Sequence, residues 1–301
     1  MHLLERLHRY GKQLENDFHA RFIVSLEEPE KENIHQLRVT IKKLKAYLEL
    51  LRSLDPAFQE VRVLAPLKKV FQTAGILRDF QIHETLVLER TKTATGKNEL
   101  KKQLEAQEAF LKSSFQMQES GFSFVGLRNG FIHLYLKLHN LDLENAYRGL
   151  ANYLYLKIIQ IQEKIVLSGM DEAKLHLLRI NLKAFYYTLT FLNSQYSFKK
   201  HLIGRSIKYM ESVQEDLGIW HDLYMATENS ERITHPTLTI QRLIKERQEI
   251  YSHLMIKLNN FSSFLVRLTK KIPMLIELIR VQDRNWYSRS YSQVNLLERI
   301  K

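Results

Sequence analysis

The stretch His35-Gln36-Leu37-Arg38-Val39-Thr40-Ile41-Lys42-Lys43-Leu44-Lys45 returns in weaker form as His176-Leu177-Leu178-Arg179-Ile180-Asn181-Leu182-Lys183. On a helix turning about 100° per residue, His35, Arg38, Lys42 and Lys45 fall within about a quarter-turn of one another, while Leu37, Ile41, Leu44, Leu48 and Leu51 fall on the opposite side. One face is then core and the other a basic rail. Two copies of one cationic helix imply a duplicated, anion-binding protein.

With 301 residues, 45% of them hydrophobic, the chain can bury a sizeable core, as one large domain or two intimate halves. Ten Gly and five Pro are few for this length, and long stretches carry the period of amphipathic helices, while alternating strand patterns are hard to find. The fold class expected is all-α. Lys and Arg outnumber Asp and Glu by 45 to 33, a formal net charge of +12 that favours polyanionic partners. The chain has no Cys, which excludes disulfides, a thiolate zinc site and a cysteine nucleophile. Met1 to Arg6 open into a charged amphipathic helix without an apolar signal core, and no uncharged apolar run approaches the length of a membrane span, so a soluble cytoplasmic protein with no membrane contact is expected.

Breaks at Pro29 and Asp55-Pro56 bound helices over 3–26 and 33–54. A third begins near Ala57 and is expected to bend or restart at Gly75, which weakens a helix locally and permits close approach of a neighbour. The stretch Thr91 to Gly96 reads as a loop, followed by helices over 98–120 and 122–139, with Gly126 and Gly130 marking tight packing or a kink. The second half repeats the plan with a helix over 143–167, a Ser168-Gly169 stop, an N-cap at Asp171 and the His176 helix. Tyr196-Ser197 leads into a helix holding Arg205, Lys208 and Gln214. Leu217-Gly218-Ile219-Trp220-His221-Asp222 then answers Ala74-Gly75-Ile76-Leu77-Arg78-Asp79. The offset is 141 residues from His35 to His176 and 143 from Asp79 to Asp222, so the two motifs recur in order at nearly one spacing. Past a break at Thr234-His235-Pro236, two helices are expected over 239–258 and up to Ile272, and then a segment from Pro273 with Arg280, Arg284, Arg289 and Trp286 as an appended helix or frayed tail. The expected organisation is one domain over 1–301, with repeats at 1–140 and 141–272 and an appended segment at 273–301.

A His-x-x-Arg helix with further basic residues, followed by a Leu-Gly-x-x-Arg/His-Asp turn and present twice in an all-helical chain, resembles the CHAD domain, the conserved histidine α-helical domain. The resemblance covers roughly residues 3–272 and is weaker in the second copy. It implies two pseudo-symmetric halves of a helical bundle around a central basic cleft that binds inorganic polyphosphate, often beside triphosphate-tunnel enzymes, and an association with polyphosphate granules and their proteins. Carried over residue by residue, the binding set is His35, Arg38, Lys42, Lys43, Lys45, Lys68 and Arg78 in the first copy. In the second it is His176, Arg179, Lys183 and His221, with Gln214 and Asp222 also kept and Lys208 about one turn from the family position. The second copy departs from the pattern at Ala184, Tyr186 and Glu211, where basic residues are expected, which predicts a lopsided cleft that Lys199, Lys200, Arg205 and Lys208 compensate.

Polyphosphate has about one charge per phosphate and no bases to read, so its binder needs a track of donors: Arg as a fork, Lys as a mobile point charge, and His35 and His176 as pH-dependent donors. Asp79 and Asp222 are open to reading as catalytic carboxylates or metal ligands, but an acid beside Arg78 or His221 better fits a group that orients the cations. Lys101-Lys102, Lys199-Lys200 and Lys270-Lys271 read as solvated faces. The aromatics Phe185, Tyr186, Tyr187, Phe191, Tyr153, Tyr155 and Trp220 read as packing. No Walker loop, serine elbow or spaced His metal motif is present, so neither a metal nor another cofactor is expected. These residues suggest a non-enzymatic polyphosphate-binding module. A basic helical nucleic-acid binder and an accessory subunit of a polyphosphate- or triphosphate-processing enzyme are the alternatives.

Overall fold

The computed structural model describes the backbone of the chain except residues 59–60, 92–93, 168–171, 197, 199–202, 231–236 and 299–301, and side chains except at these and at 61, 94–96, 99, 167, 229–230, 237 and 286–298. Among the described residues every regular element is a helix: α1 (Leu3–Glu27), α2 (Lys31–Leu54), α3 (Val61–Arg90), α4 (Ala94–Gln116), α5 (Phe124–His139), α6 (Leu143–Leu167), α7 (Glu172–Gln195), α8 (Gly204–Ser230), α9 (Thr237–Thr269) and α10 (Ile272–Glu298). The fold is all-α.

Helix α2 shows how sequence period becomes packing. Its side chains at Ile34, Leu37, Ile41, Leu44, Leu48 and Leu51 are buried, which is the 3–4 spacing of one helical stripe. Helix α7 buries Leu175, Leu178, Leu182, Phe185, Leu189 and Leu192, each 141 residues after its counterpart on α2, the same offset that separates His35 from His176. Core and cationic faces therefore recur together. Each fully buried Leu or Phe contributes on the order of 2 kcal/mol through water exclusion, so truncating Phe185, 1% exposed, to Ala costs about 3–5 kcal/mol.

Helices α2 and α7 pack against each other, α3 packs on α8, α2 on α3 and α7 on α8, so these four meet as a closed ring of contacts. The α1 and α5 pair covers one side, and α6 packs on α1, α2, α7, α9 and α10. A smaller apolar cluster of Phe80, Val87, Leu100, Leu104, Leu223 and Leu243 joins α3, α4, α8 and α9.

Three expectations are corrected. Helix α3 runs unbroken through Gly75, because one Gly costs only about 1 kcal/mol of propensity and the flanking Ala74 and Leu77 are fully buried. Helix α4 starts at Ala94, so Gly96 stands in a first turn, whose N–H groups have no intrahelical partner in any case. The two helices expected after Thr239 are one, α9, since Thr237–Thr269 contains neither Gly nor Pro. Pro66 lies inside α3 and leaves the Arg62 carbonyl without its usual helical donor. Gly130 of α5 packs against that carbonyl, 3.2 Å from where a Cβ would stand.

The final segment is helical as α10 and is tied to the bundle at Asp283. This buried carboxylate accepts hydrogen bonds from the Leu3 backbone N–H at 2.9 Å, Tyr147 at 2.7 Å and Tyr196 at 3.4 Å, with Arg6 3.9 Å away. The first and last helices are thus joined through one acid. The stop at Ser168-Gly169, the cap at Asp171, the break at Thr234-His235-Pro236, Lys199, Lys200 and the side chains of Trp286 and Arg289 lie outside the described residues.

Candidate functional site

The ring of α2, α3, α7 and α8 brings together the cations that the repeated motif set apart. Arg38 and Lys42 come from α2, Arg78 from α3, Arg179 and Lys183 from α7, and all five are partly buried. Lys42 is pushed well below the usual lysine range by burial, then by Lys183, Arg38 and Arg179. Lys183 is lowered to about 8 by burial and by Arg179. Two carboxylates stand among them. Burial raises Asp79 and Asp222, while Arg38 and Lys42 pull Asp79 down and Arg179 and Arg78 pull Asp222 down. Five clustered cations face two acids, so the site carries an excess of positive charge withdrawn from water.

Arg38 is held in place by α3. Its Nη1 donates to the Phe71 carbonyl at 3.0 Å, its guanidinium carbon lies 4.7 Å from the Phe71 ring centroid, and Lys45 Nζ lies 3.7 Å from the same centroid. The guanidinium fills the space beside Gly75 that a side chain would need. The neighbour whose close approach Gly75 permits is therefore Arg38. At the matching position of the second motif, Arg179 Nη2 approaches Gly218 more loosely, 4.0 Å from an ideal Cβ. Phe71 was not foreseen as a site residue; its spacing of four residues before Gly75, on the face of α3 that also holds Arg78, is the signal that identifies it.

The histidines complete the site. His35 is lowered by burial and then by Arg78. The His176 and His221 rings pack 4.9 Å apart, and burial together with Arg179 depresses both, His221 to about 3. Both are neutral near pH 7. His176 Nδ1, His221 Nδ1, Arg179 Nε and Gln214 Nε2 are buried without a hydrogen-bond partner. Unpaired buried polar atoms of this kind each cost about 1–3 kcal/mol.

Other expected members stand apart. Lys43 lines a small recess with Tyr10, Tyr47, Tyr187 and Phe191, on a different side of α2. Lys68 and Lys208 are exposed side chains on α3 and α8, and neither is among the charges that shift the clustered groups. Arg205 is likewise exposed. Two of the residues that depart from the family pattern touch each other: Tyr186 donates to Glu211 at 3.5 Å. By the repeat offsets these two occupy the places of Lys45 and Lys68. Phe185, Phe191, Tyr153 and Trp220 are buried in the core. Among the described residues, no group of three His, Asp or Glu side chains is arranged to hold a metal ion. A cavity of about 780 Å³ between α1 and α5 is lined by His8, Lys12, Arg128 and Ile132 among others and includes none of the clustered cations.

No curated protein matches the sequence. The crystal structure of the CHAD domain from the plant Ricinus communis superposes with a TM-score of 0.62 over 90% of this chain and 92% of that one, at 16% sequence identity, which establishes the shared fold. The CHAD domain family model matches residues 19–229, a span that contains both His-x-x-Arg helices and both Gly-containing motifs, which lie inside α3 and α8 and not in turns. The chain therefore belongs to the CHAD domain family.

Proposed function

We propose that the four-helix cluster binds inorganic polyphosphate, and that the protein acts by binding and scaffolding without catalysing a reaction. The observation that supports this reading is the meeting of Arg38, Lys42, Arg179 and Lys183 from two copies of one motif, partly buried and mutually repelling. Like charges held together and withdrawn from water raise the energy of the free protein, and a polyanion laid between them relieves both costs. Arg179 Nε and Gln214 Nε2 supply further donors that lack a protein acceptor. A phosphate chain suits this geometry because each unit offers acceptor oxygens to forked and point-charge donors alike. Asp79 and Asp222, each set among guanidinium and ammonium groups, orient those cations. In a cell the protein would sit at polyphosphate stores and bring partner proteins there. No described helix is long and apolar enough to cross a membrane.

Nucleic acid is the weaker alternative. Its single-stranded form is held by aromatic stacking platforms, whereas Phe185, Phe191 and Trp220 are core residues and the Phe71 ring is engaged by Arg38 and Lys45. Competition separates the readings: long-chain polyphosphate should displace a labelled polyphosphate at far lower phosphate concentration than RNA or DNA does. Equal competition would favour the nucleic-acid reading. Metal-dependent release of phosphate from polyphosphate by the purified protein would show an enzyme.

A further inference from the structure

The cluster does not end in open solvent. Arg78 and Asp222, two of its members, also line a cavity of about 400 Å³ enclosed by α3, α8 and α9, with Lys31 of α2 at its edge. That volume lies within the range of about 300–1,000 Å³ found for small-molecule sites. Its walls differ from the cluster in kind. Ile82, Leu86, Ile219, Leu223 and Ile250 form an apolar strip in them, bordered by the carboxylates of Glu89, Glu246 and Glu249. Helix α9, which supplies Ile250 and Glu246, lies beyond residues 19–229 matched by the family model, so this wall is added by a part of the chain outside the matched region.

Arg90 lines the same cavity and is fixed by its surroundings. Its Nε donates to Glu246 at 3.0 and 3.1 Å, its Nη2 to Glu246 Oε2 at 2.5 Å, and its Nη1 to the Leu86 carbonyl at 3.1 Å. Nη1 also donates to Glu89 at 3.3 Å, so donors at the edges of the guanidinium are taken by protein and two carboxylates face its charge. What the group retains for a ligand is its planar face, a surface on which a heteroaromatic ring stacks. A bare phosphate chain gains little here, because the walls combine apolar side chains with the carboxylates of Glu89, Glu246 and Glu249 and the arginine is already paired. A ligand with phosphates on one side and a planar organic group on the other fits both regions.

We infer that this chain binds nucleoside polyphosphates, with the phosphates on the cationic cluster and the base on the apolar strip of the cavity against Arg90. The inference rests on the phosphate-chain reading of the cluster. In this arrangement the sugar lies beside Asp222, which lines both regions and whose carboxylate can accept a hydrogen bond from its hydroxyls.

The test compares adenosine 5′-tetraphosphate with inorganic linear tetraphosphate on the full chain by calorimetry. Adenosine tetraphosphate should bind at least about tenfold more tightly, a difference in keeping with stacking and burial of one base. Ile219→Trp and, separately, Ile82→Trp fill the cavity and should remove that advantage while inorganic tetraphosphate binds as before. Ile219 is 43% exposed, so its replacement leaves the core intact. If inorganic tetraphosphate binds and the adenosine form binds no better, or if the advantage survives both substitutions, the cavity assignment is overturned while the phosphate reading stands. If neither ligand binds, both readings fall.

Discussion

The Arg38 guanidinium occupies the space that a side chain at Gly75 would fill, and it is held there by the carbonyl and ring of Phe71. A glycine inside a helix is thereby linked to the position of a charge on its neighbour.

Gly75→Ala tests this link directly. Ala is the better helix former by about 1 kcal/mol, and the group it meets is the end of a flexible side chain, so the variant should be at least as stable as the parent. Its affinity for polyphosphate should nevertheless fall about tenfold as Arg38 is displaced. Gly218→Ala, where Arg179 is only in ordinary contact, should bind nearly as the parent does. Thermal melts and titrations on both variants check the pair, and equal binding by the two would remove Gly75 from the account.

Replacing Glu211 with Lys should strengthen binding. The residue stands where the first copy has Lys68, and it engages Tyr186, which stands where the first copy has Lys45. A gain of about three- to tenfold is expected, with the log-log salt dependence steeper by about 0.7 for one added phosphate contact, by analogy with single strands. An unchanged salt slope would mean that the bound chain does not reach position 211.

Raising pH should move stability and binding in opposite directions. Lys183, lowered to about 8 by burial and by Arg179, is more acidic folded than unfolded, so between about pH 8 and its ordinary value of 10.5 the unfolded chain holds the extra proton and the free protein gains stability as pH rises. Over the same interval a polyanion must bring that proton with it, and affinity falls. Lys183→Met should flatten both trends. Melting temperature and affinity measured from pH 7 to 10 provide the check.

Asp283→Ala should cost about 3 kcal/mol of stability, since it strips the acceptor from the Leu3 N–H, Tyr147 and Tyr196 and leaves Arg6 beside an apolar gap. Polyphosphate affinity at a temperature where the variant is folded should not change. Chemical denaturation with and without ligand separates the two effects.

Much of this site is legible in the sequence because a helix converts spacing into direction. His35, Arg38 and Lys42 share a face by period alone, and the 141-residue offset that relates His176, Arg179 and Lys183 to them also relates the buried stripes of α2 and α7. What spacing does not convey is which faces meet. Lys43 follows Lys42 in sequence yet turns toward Tyr10 and Tyr187, and Lys68 shares the α3 face but stands outside the cluster. Phe71 and the partnerless Gln214 Nε2 acquire their roles only when α3 lies against α2 and α8 against α7. The junction of Asp283 with Leu3 spans 280 residues, and no local pattern announces it.

A salt titration of long-chain polyphosphate binding, run on the parent and on a variant with Arg38, Lys42 and Lys45 replaced by uncharged residues, tests the central claim most directly. A variant neutralised at Lys101 and Lys102 serves as control, since Lys101 is an exposed side chain paired only with Glu105 and Lys102 is also exposed. The account predicts tight binding by the parent that weakens steeply with salt, loss of at least about a hundredfold with a shallower slope in the triple variant, and little change in the control. Equal losses in the two variants would mean that the polyanion is attracted by the net charge of the chain, and the four-helix site would be contradicted.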